Sequence, residues 1–337
     1  MNSLSGSIRT SLILIAFLGC LAVAPAYQPA WAQETAQYSP EEYAAYQAIT
    51  GESDPAKKME LILAFYKTYP KSTLQPHVVA DFQTMLKNLQ DARKWAQSIT
   101  VGRQFLSVAP NDEYTIALLA TAFAETKDYR QFVAMGDELY KKNPNGNLAY
   151  SMAKAYQNLG NSAKQAEWAE KTVASLPDNY EMLLELSKIY ADANRNAEAD
   201  KYAKQCLKVV QAAAKPEQST EKDWTAYKNH SLMACYYIIG KIAYDKQEYA
   251  AAVSNLENSL KLNSRNDMAY FFLGQSYWQS RNQSKALINF AKASLLGGSA
   301  ATPPRQQLEN MWKGSHRGSL AGLDTVIAAA KAELGIK

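Results

Sequence analysis

Gly240 and Gly274, Ala252 and Ala286, and Leu256 and Phe290 each stand 34 residues apart. Three coincident offsets at one interval mark a repeating supersecondary unit, and this constrains the fold more than any other feature of the chain. A unit of this length holds a pair of helices and a turn. It cannot bury its apolar face alone, so copies must stack on one another around an elongated core. Composition permits this, because 337 residues that are 47% apolar and 20% charged supply a core and exclude disorder as the main state. Length alone would suggest about two domains.

The segment LGQSYWQSRNQSKALINFAKASLL, from Leu273 to Leu296, spaces Leu, Gly, Tyr, Ala, Phe and Ala as two closely crossing helices require. Here the chain resembles the tetratricopeptide repeat family. In that family's frame Leu273 takes the seventh place, Gly274 the eighth, Tyr277 the eleventh, Ala286 the twentieth, Phe290 the twenty-fourth and Ala293 the twenty-seventh. The eighth place faces the second helix of its own hairpin, so it must be small. Carried upstream it falls on Ala120, Ala153, Ser187 and Gly240, all small. The eleventh place falls on Phe123, Tyr156, Tyr190 and Ala243, aromatic in all but the last. Pro144 and Pro177 sit where hairpins must end. Phe132 and Gln165 depart from the Ala of the twentieth place, and Leu139 and Thr172 from that of the twenty-seventh, so those two hairpins are expected to cross less tightly.

The resemblance implies an all-α, tetratricopeptide-repeat helical-hairpin solenoid, a right-handed superhelix of about seven hairpins with a C-terminal cap. Its expected divisions are a signal peptide at 1–32, degenerate N-terminal hairpins at 33–110, repeats at 111–213, an insert at 214–232, two clear repeats at 233–298 and the cap at 299–337. The insert has a signature of its own. Lys215-Pro216 halts one helix, and Thr220 followed by Asp223 starts another, expected from about Glu221 to Asp245. In the cap, Leu323, Val326, Ile327 and Leu334 share one face, as a helix covering the apolar end of a solenoid requires.

Residues 1–32 read as a secretory signal, with Arg9, a 13-residue apolar run from Leu12 to Ala24, and small residues at Ala30 and Ala32 before a start at Gln33. The run is too short to span a bilayer, and the later sequence holds no apolar stretch approaching the roughly 18 residues a membrane helix needs. Export to the periplasm or beyond the cell is the expectation. The competing reading is a lipid anchor at Cys20, because Phe17-Leu18-Gly19-Cys20 ends in the Gly-Cys pair that lipidation uses. Tyr69-Pro70-Lys71-Ser72 is faintly similar to helical-repeat lipoproteins of outer-membrane assembly, which keeps an envelope-assembly role in view.

The inventory for chemistry is thin. His77, His230 and His316 are far apart and lie beside no Cys or carboxylate cluster, and no Gly-rich phosphate loop appears. Neither a catalytic constellation nor a cofactor or metal is expected. A net charge of +4, from 36 Lys and Arg against 32 Asp and Glu, argues against nucleic-acid binding by bulk charge. Cys206 and Cys235 fall on helix surfaces that pack together, and read as buried thiols acting as small hydrophobes, with a disulfide clamping the insert as the alternative.

Binding remains. In the tetratricopeptide family the first helices line the concave side, with the second, fifth, ninth, twelfth and thirteenth places pointing into it. The resemblance therefore nominates Tyr150, Lys154, Lys188, Tyr237, Lys241, Tyr244, Phe271, Gln275 and Trp278 as a groove for a protein or peptide. Lys154, Lys188 and Lys241 recur at the ninth place in three consecutive units, a ladder suited to acidic groups or a C-terminal carboxylate. Lys188 with Asp192 and Lys241 with Asp245 are i,i+4 pairs that could neutralise one another instead, at about 0.2–0.5 kcal/mol each. A glycan or small-molecule receptor, with Tyr and Trp stacked on sugar rings, is the alternative.

Overall fold

A computed structural model of the chain describes residues 38–297 and 302–336; the signal reading, Gln33 and Cys20 lie outside them. The described residues form sixteen helices: α1 (Pro40–Gly51), α2 (Pro55–Thr68), α3 (Gln75–Asp91), α4 (Trp95–Val108), α5 (Glu113–Glu125), α6 (Tyr129–Lys142), α7 (Gly146–Asn158), α8 (Ser162–Ser175), α9 (Tyr180–Asp192), α10 (Asn196–Ala212), α11 (Glu221–Asp245), α12 (Tyr249–Leu262), α13 (Asp267–Gln279), α14 (Gln283–Leu296), α15 (Thr302–Ser315) and α16 (Leu323–Leu334). Consecutive helices pair into seven hairpins, α1–α2 through α13–α14, each stacked on the next, while α15 and α16 both lie against α14. This is the all-helical stack of hairpins with a C-terminal cap that the resemblance implies.

The repeat is written in the backbone. Arg93, Lys127, Gly160, Asn194, Gln247 and Arg281 hold positive φ at the turn inside successive hairpins, spaced 34, 33, 34, 53 and 34 residues apart. At each turn the next residue's N–H reaches back across a left-handed helix end, as in Lys94 to Leu89 (2.8 Å), Asp128 to Phe123 (2.9 Å) and Asn282 to Tyr277 (2.8 Å). The larger spacing is the insert. Asn145, Asn179 and Asn266 each cap the start of a first helix through a side-chain oxygen. The equivalent place before Met233 is Leu232, which offers no cap, so α11 runs on upstream until Thr220 accepts the Asp223 N–H at 3.1 Å.

Small residues decide how closely the helices cross. A Cβ on Gly240 would stand 2.8 Å from Leu256 Cγ, and one on Gly274 2.9 Å from the Phe290 ring, in each case on the second helix of the same hairpin. The expected loosening holds for α5–α6, where the rings of Phe123 and Phe132 lie 5.7 Å apart between the helices. It fails for α7–α8, which pack as closely as α13–α14. There Ala149, Ala153, Ala166 and Ala169 are buried in one cluster, and the buried Gln165 amide is satisfied by Glu185 at 3.4 Å.

Neighbouring hairpins are tied by a recurring strut. Tyr190 donates its hydroxyl to Glu170 at 2.7 Å, and Tyr277 donates to Glu257 at 2.6 Å, each twenty residues back on the preceding second helix. The core is continuous in kind along the stack, passing through clusters centred on Phe82 and Phe105, on Trp168 and Tyr202, and on Leu256 and Phe290. Leu323 is buried in the last of these, with Val326, Ile327 and Leu334 packed against it.

Candidate partner-binding groove

Helix α11 is amphipathic in a particular way after the insert: Met233, Ala234, Tyr237, Ile238, Lys241 and Ile242 recur at steps of one, three and four, and so share one face. That face forms a cavity of about 480 Å3 with Lys188, Ala191 and Asp192 of α9, Asn196 at the start of α10 and Asn266 at the cap of α13. The floor is apolar and the rim carries charge. Lys241 meets Asp245 at 2.8 Å, and Lys188 meets Glu185 at 3.2 Å. The i,i+4 pair expected between Lys188 and Asp192 is thus replaced by an i−3 pair with Glu185 on the same helix. The Lys241 ammonium also lies 5.6 Å from the Phe272 ring centre, within cation–π range. Burial, reinforced by Asp267 and Asp245, pushes the Tyr237 phenol up to about 12, so it keeps its proton and can donate to a ligand.

Of the nine residues nominated by the sequence, Lys188, Tyr237 and Lys241 line this cavity and the other six do not. Tyr150 and Lys154 are spent within the protein: the Tyr150 hydroxyl donates to Glu181 at 2.7 Å, and the Lys154 ammonium donates to its other oxygen at 2.8 Å. Tyr244 packs between Phe272 at 5.5 Å and Tyr249 at 6.1 Å. Phe271 turns inward to Phe290 at 5.9 Å, and Phe272 instead faces Tyr237 at 6.5 Å. Gln275 is half-buried on α13, whereas Trp278 is 42% exposed and forms no ring contact among the described residues. Sequence reasoning missed Met233, Ile238 and Ile242 because they stand one place away from the second, fifth and ninth places respectively. It missed Asn266, whose signal was the Asx capping pattern at the start of α13, and Asn196, the first residue of α10, which bears no such signal and reaches Asp245 at 3.4 Å.

The insert leaves the cavity open. Trp224 and Tyr227 stack on each other at 6.0 Å and meet Tyr180 at 5.9 and 5.4 Å, so the extra turns of α11 lie against the start of α9, and the lining begins only at Met233. Beneath the groove Cys206 and Cys235 are both buried and free. A hydrogen bond donated to the Cys206 sulfur, together with burial, holds the Cys235 thiol far above its usual range, so it stays protonated. Among the described residues no three His, Cys, Asp or Glu side chains gather as a metal site, and no helix is long and apolar enough to cross a membrane.

Stacked helical hairpins repeating at 34 residues, with small residues at their crossings and one amphipathic groove, define a helical-repeat scaffold. Residues 234–266, the end of α11 through α12, match the tetratricopeptide repeat model, so the chain carries a tetratricopeptide repeat there. A search of curated proteins gave no match. Among solved structures, the chain is similar to MamA at 15% identity, over 56% of this chain and 95% of that one, with a TM-score of 0.40. It is also similar to YrrB, described as a TPR protein with an unusual peptide-binding site, at 13% identity over 61% and 97% of the two chains, with a TM-score of 0.48. The APC/C assembly Cut9–Hcn1 matches at 12% identity over 80% and 54%, with a TM-score of 0.41.

Proposed function

We propose that the groove between α9, α11 and α13 binds a segment of another protein, and that the chain works by recognition without chemistry. The observation that carries this reading is an apolar floor of about 480 Å3 rimmed by two lysines and two asparagines on a rigid repeat scaffold. Burying one large apolar side chain of a partner on that floor stabilises a complex by about 1.5–3 kcal/mol. The rim pairs of Lys188 and Lys241 are part-exposed and worth about 0–1 kcal/mol each. A partner carboxylate can therefore replace Glu185 or Asp245 at little net cost. The preferred segment has an apolar anchor with acidic groups or a C-terminal carboxylate beside it, the anchor supplying affinity and the charges supplying orientation. The signal-like residues 1–32 support a place of work outside the cytoplasm, in the envelope or beyond it.

Peptides selected from a random library against the parent chain test this. Tyr237→Ala should weaken binding by about thirtyfold, as the loss of a central aromatic anchor does. Lys188→Ala and Lys241→Ala should each weaken it by about two- to fivefold, with the loss shrinking at high salt. Selected peptides that bind Tyr237→Ala as tightly as the parent would move the site elsewhere.

The exposure of Trp278 favours a second reading, a glycan stacked on its indole. That reading requires Trp278→Ala to abolish glycan binding while acidic peptides fail to compete.

A further inference from the structure

A separate cavity of about 520 Å3 opens on the side of the second helices, between α12, α13 and α14, and shares no residue with the groove. Its polar walls carry more positive than negative groups, with Lys261, Lys285 and Lys292 against Glu257 and Glu333. Lys292 is the most enclosed of the three. Its side chain is 13% exposed, and its ammonium lies 5.1 Å from the Tyr270 ring centre. An ammonium so far out of water needs an anion beside it. The anion comes from the terminal helix α16, whose Glu333 reaches Lys292 at 2.5 Å although its own side chain is 55% exposed.

Lys285 has no carboxylate partner among the described residues. Its ammonium donates to the Tyr277 hydroxyl at 3.4 Å and lies 4.9 Å from the centre of that ring. The nearby Glu257 is engaged elsewhere, accepting the Tyr277 O–H at 2.6 Å. The pocket therefore holds one lysine matched by a borrowed carboxylate and two without a carboxylate among the described residues, Lys285 and Lys261, the latter donating to Asn258 at 3.0 Å; Lys292 and Lys285 are set against aromatic faces.

We propose that this pocket is a site for a ligand bearing an oxyanion, a carboxylate or a phosphate, anchored by Lys292 and Lys285, and that Glu333 occupies the anion position in the free chain. Ligand and Glu333 exclude one another on Lys292. Occupancy of the pocket is thereby coupled to the hold of α16 on α14.

The test is Glu333→Gln in the full chain, titrated by calorimetry with inorganic phosphate and, separately, with glutarate, chloride being adjusted to hold ionic strength constant. With its internal competitor neutralised, the variant should bind one of the two about fivefold more tightly than the parent, the factor an ion pair of this exposure supports. Whichever probe gains identifies the oxyanion. Lys292→Ala in the same background should abolish the gain, and Lys285→Gln in the parent should remove its residual binding without moving the thermal midpoint. A Glu333→Gln chain that melts lower and binds neither probe more tightly would make Glu333 only a fastening of the cap and overturn the proposal. A gain that survives Lys292→Ala would overturn it too, as the mark of an adventitious ion only.

Discussion

At five of the six left-handed hairpin turns the residue with positive φ carries a full side chain: Arg93, Lys127, Asn194, Gln247 and Arg281, against Gly160 alone. The left-handed conformation costs an L-residue about 1–2 kcal/mol, less for Asn, while Gly enters it freely but loses more chain entropy on folding. Lys127→Gly and Arg281→Gly are each expected to stabilise the fold by about 0.5–1 kcal/mol, seen as a higher denaturant midpoint at unchanged slope. Gly160→Ala should lower the midpoint by a similar amount. These turns were illegible in the sequence, because Arg, Lys and Gln have no turn signature and the conformation is enforced by the capping hydrogen bonds around them. The crossing positions were legible for the opposite reason. At Gly240 and Gly274 a single missing Cβ is the whole signal, and the structure places Leu256 and Phe290 against that gap.

Among the elements, α11 shows how one missing cap reshapes a repeat. Leu232 stands where α7, α9 and α13 have a capping Asn, so the helix continues upstream and brings Trp224 and Tyr227 onto Tyr180. Its start and end were readable from Thr220 and from the unbroken run to Asp245; where its upstream turns would lie was not, since that depends on Tyr180 and α9. Trp224 is 7% exposed, and Trp224→Ala should cost about 3 kcal/mol of stability. The affinity of groove-selected peptides should stay unchanged, because Trp224 lines no part of the cavity. A loss of affinity matching the loss of stability would show that the insert shapes the groove. Rotation by one residue also explains why α13 was misread: Phe271 and Phe272 are adjacent in sequence but face Phe290 and Tyr237 respectively, and only packing against α14 chooses between them.

Over the whole molecule, tyrosine hydroxyls bridge one hairpin to the next, and this sets a pH limit. Burial, with Glu170 as hydrogen-bond partner and nearby charge, pushes Tyr190 and Tyr202 up to about 12, and burial does the same for Tyr237. Their folded values lie above the ordinary value of 10.0, so the unfolded chain binds fewer protons above that pH. Stability is therefore intact below pH 10 and falls as pH rises toward 12; phenolate absorbance should lag behind that of the unfolded chain, and Tyr190→Phe should reduce the alkaline slope. The stacked architecture was legible because a 34-residue period survives in small residues, whereas the groove was legible only in part, since ion pairing is decided in space: Lys154 is taken by Glu181 and Lys188 by Glu185. The direct test of the groove is backbone hydrogen exchange on the chain with and without a selected peptide. Slowed exchange confined to the last turn of α9, the middle of α11 and the start of α13 is predicted. Protection that falls on α7 and the upstream turns of α11, or on the second helices, with α9 and α13 unchanged, would contradict it.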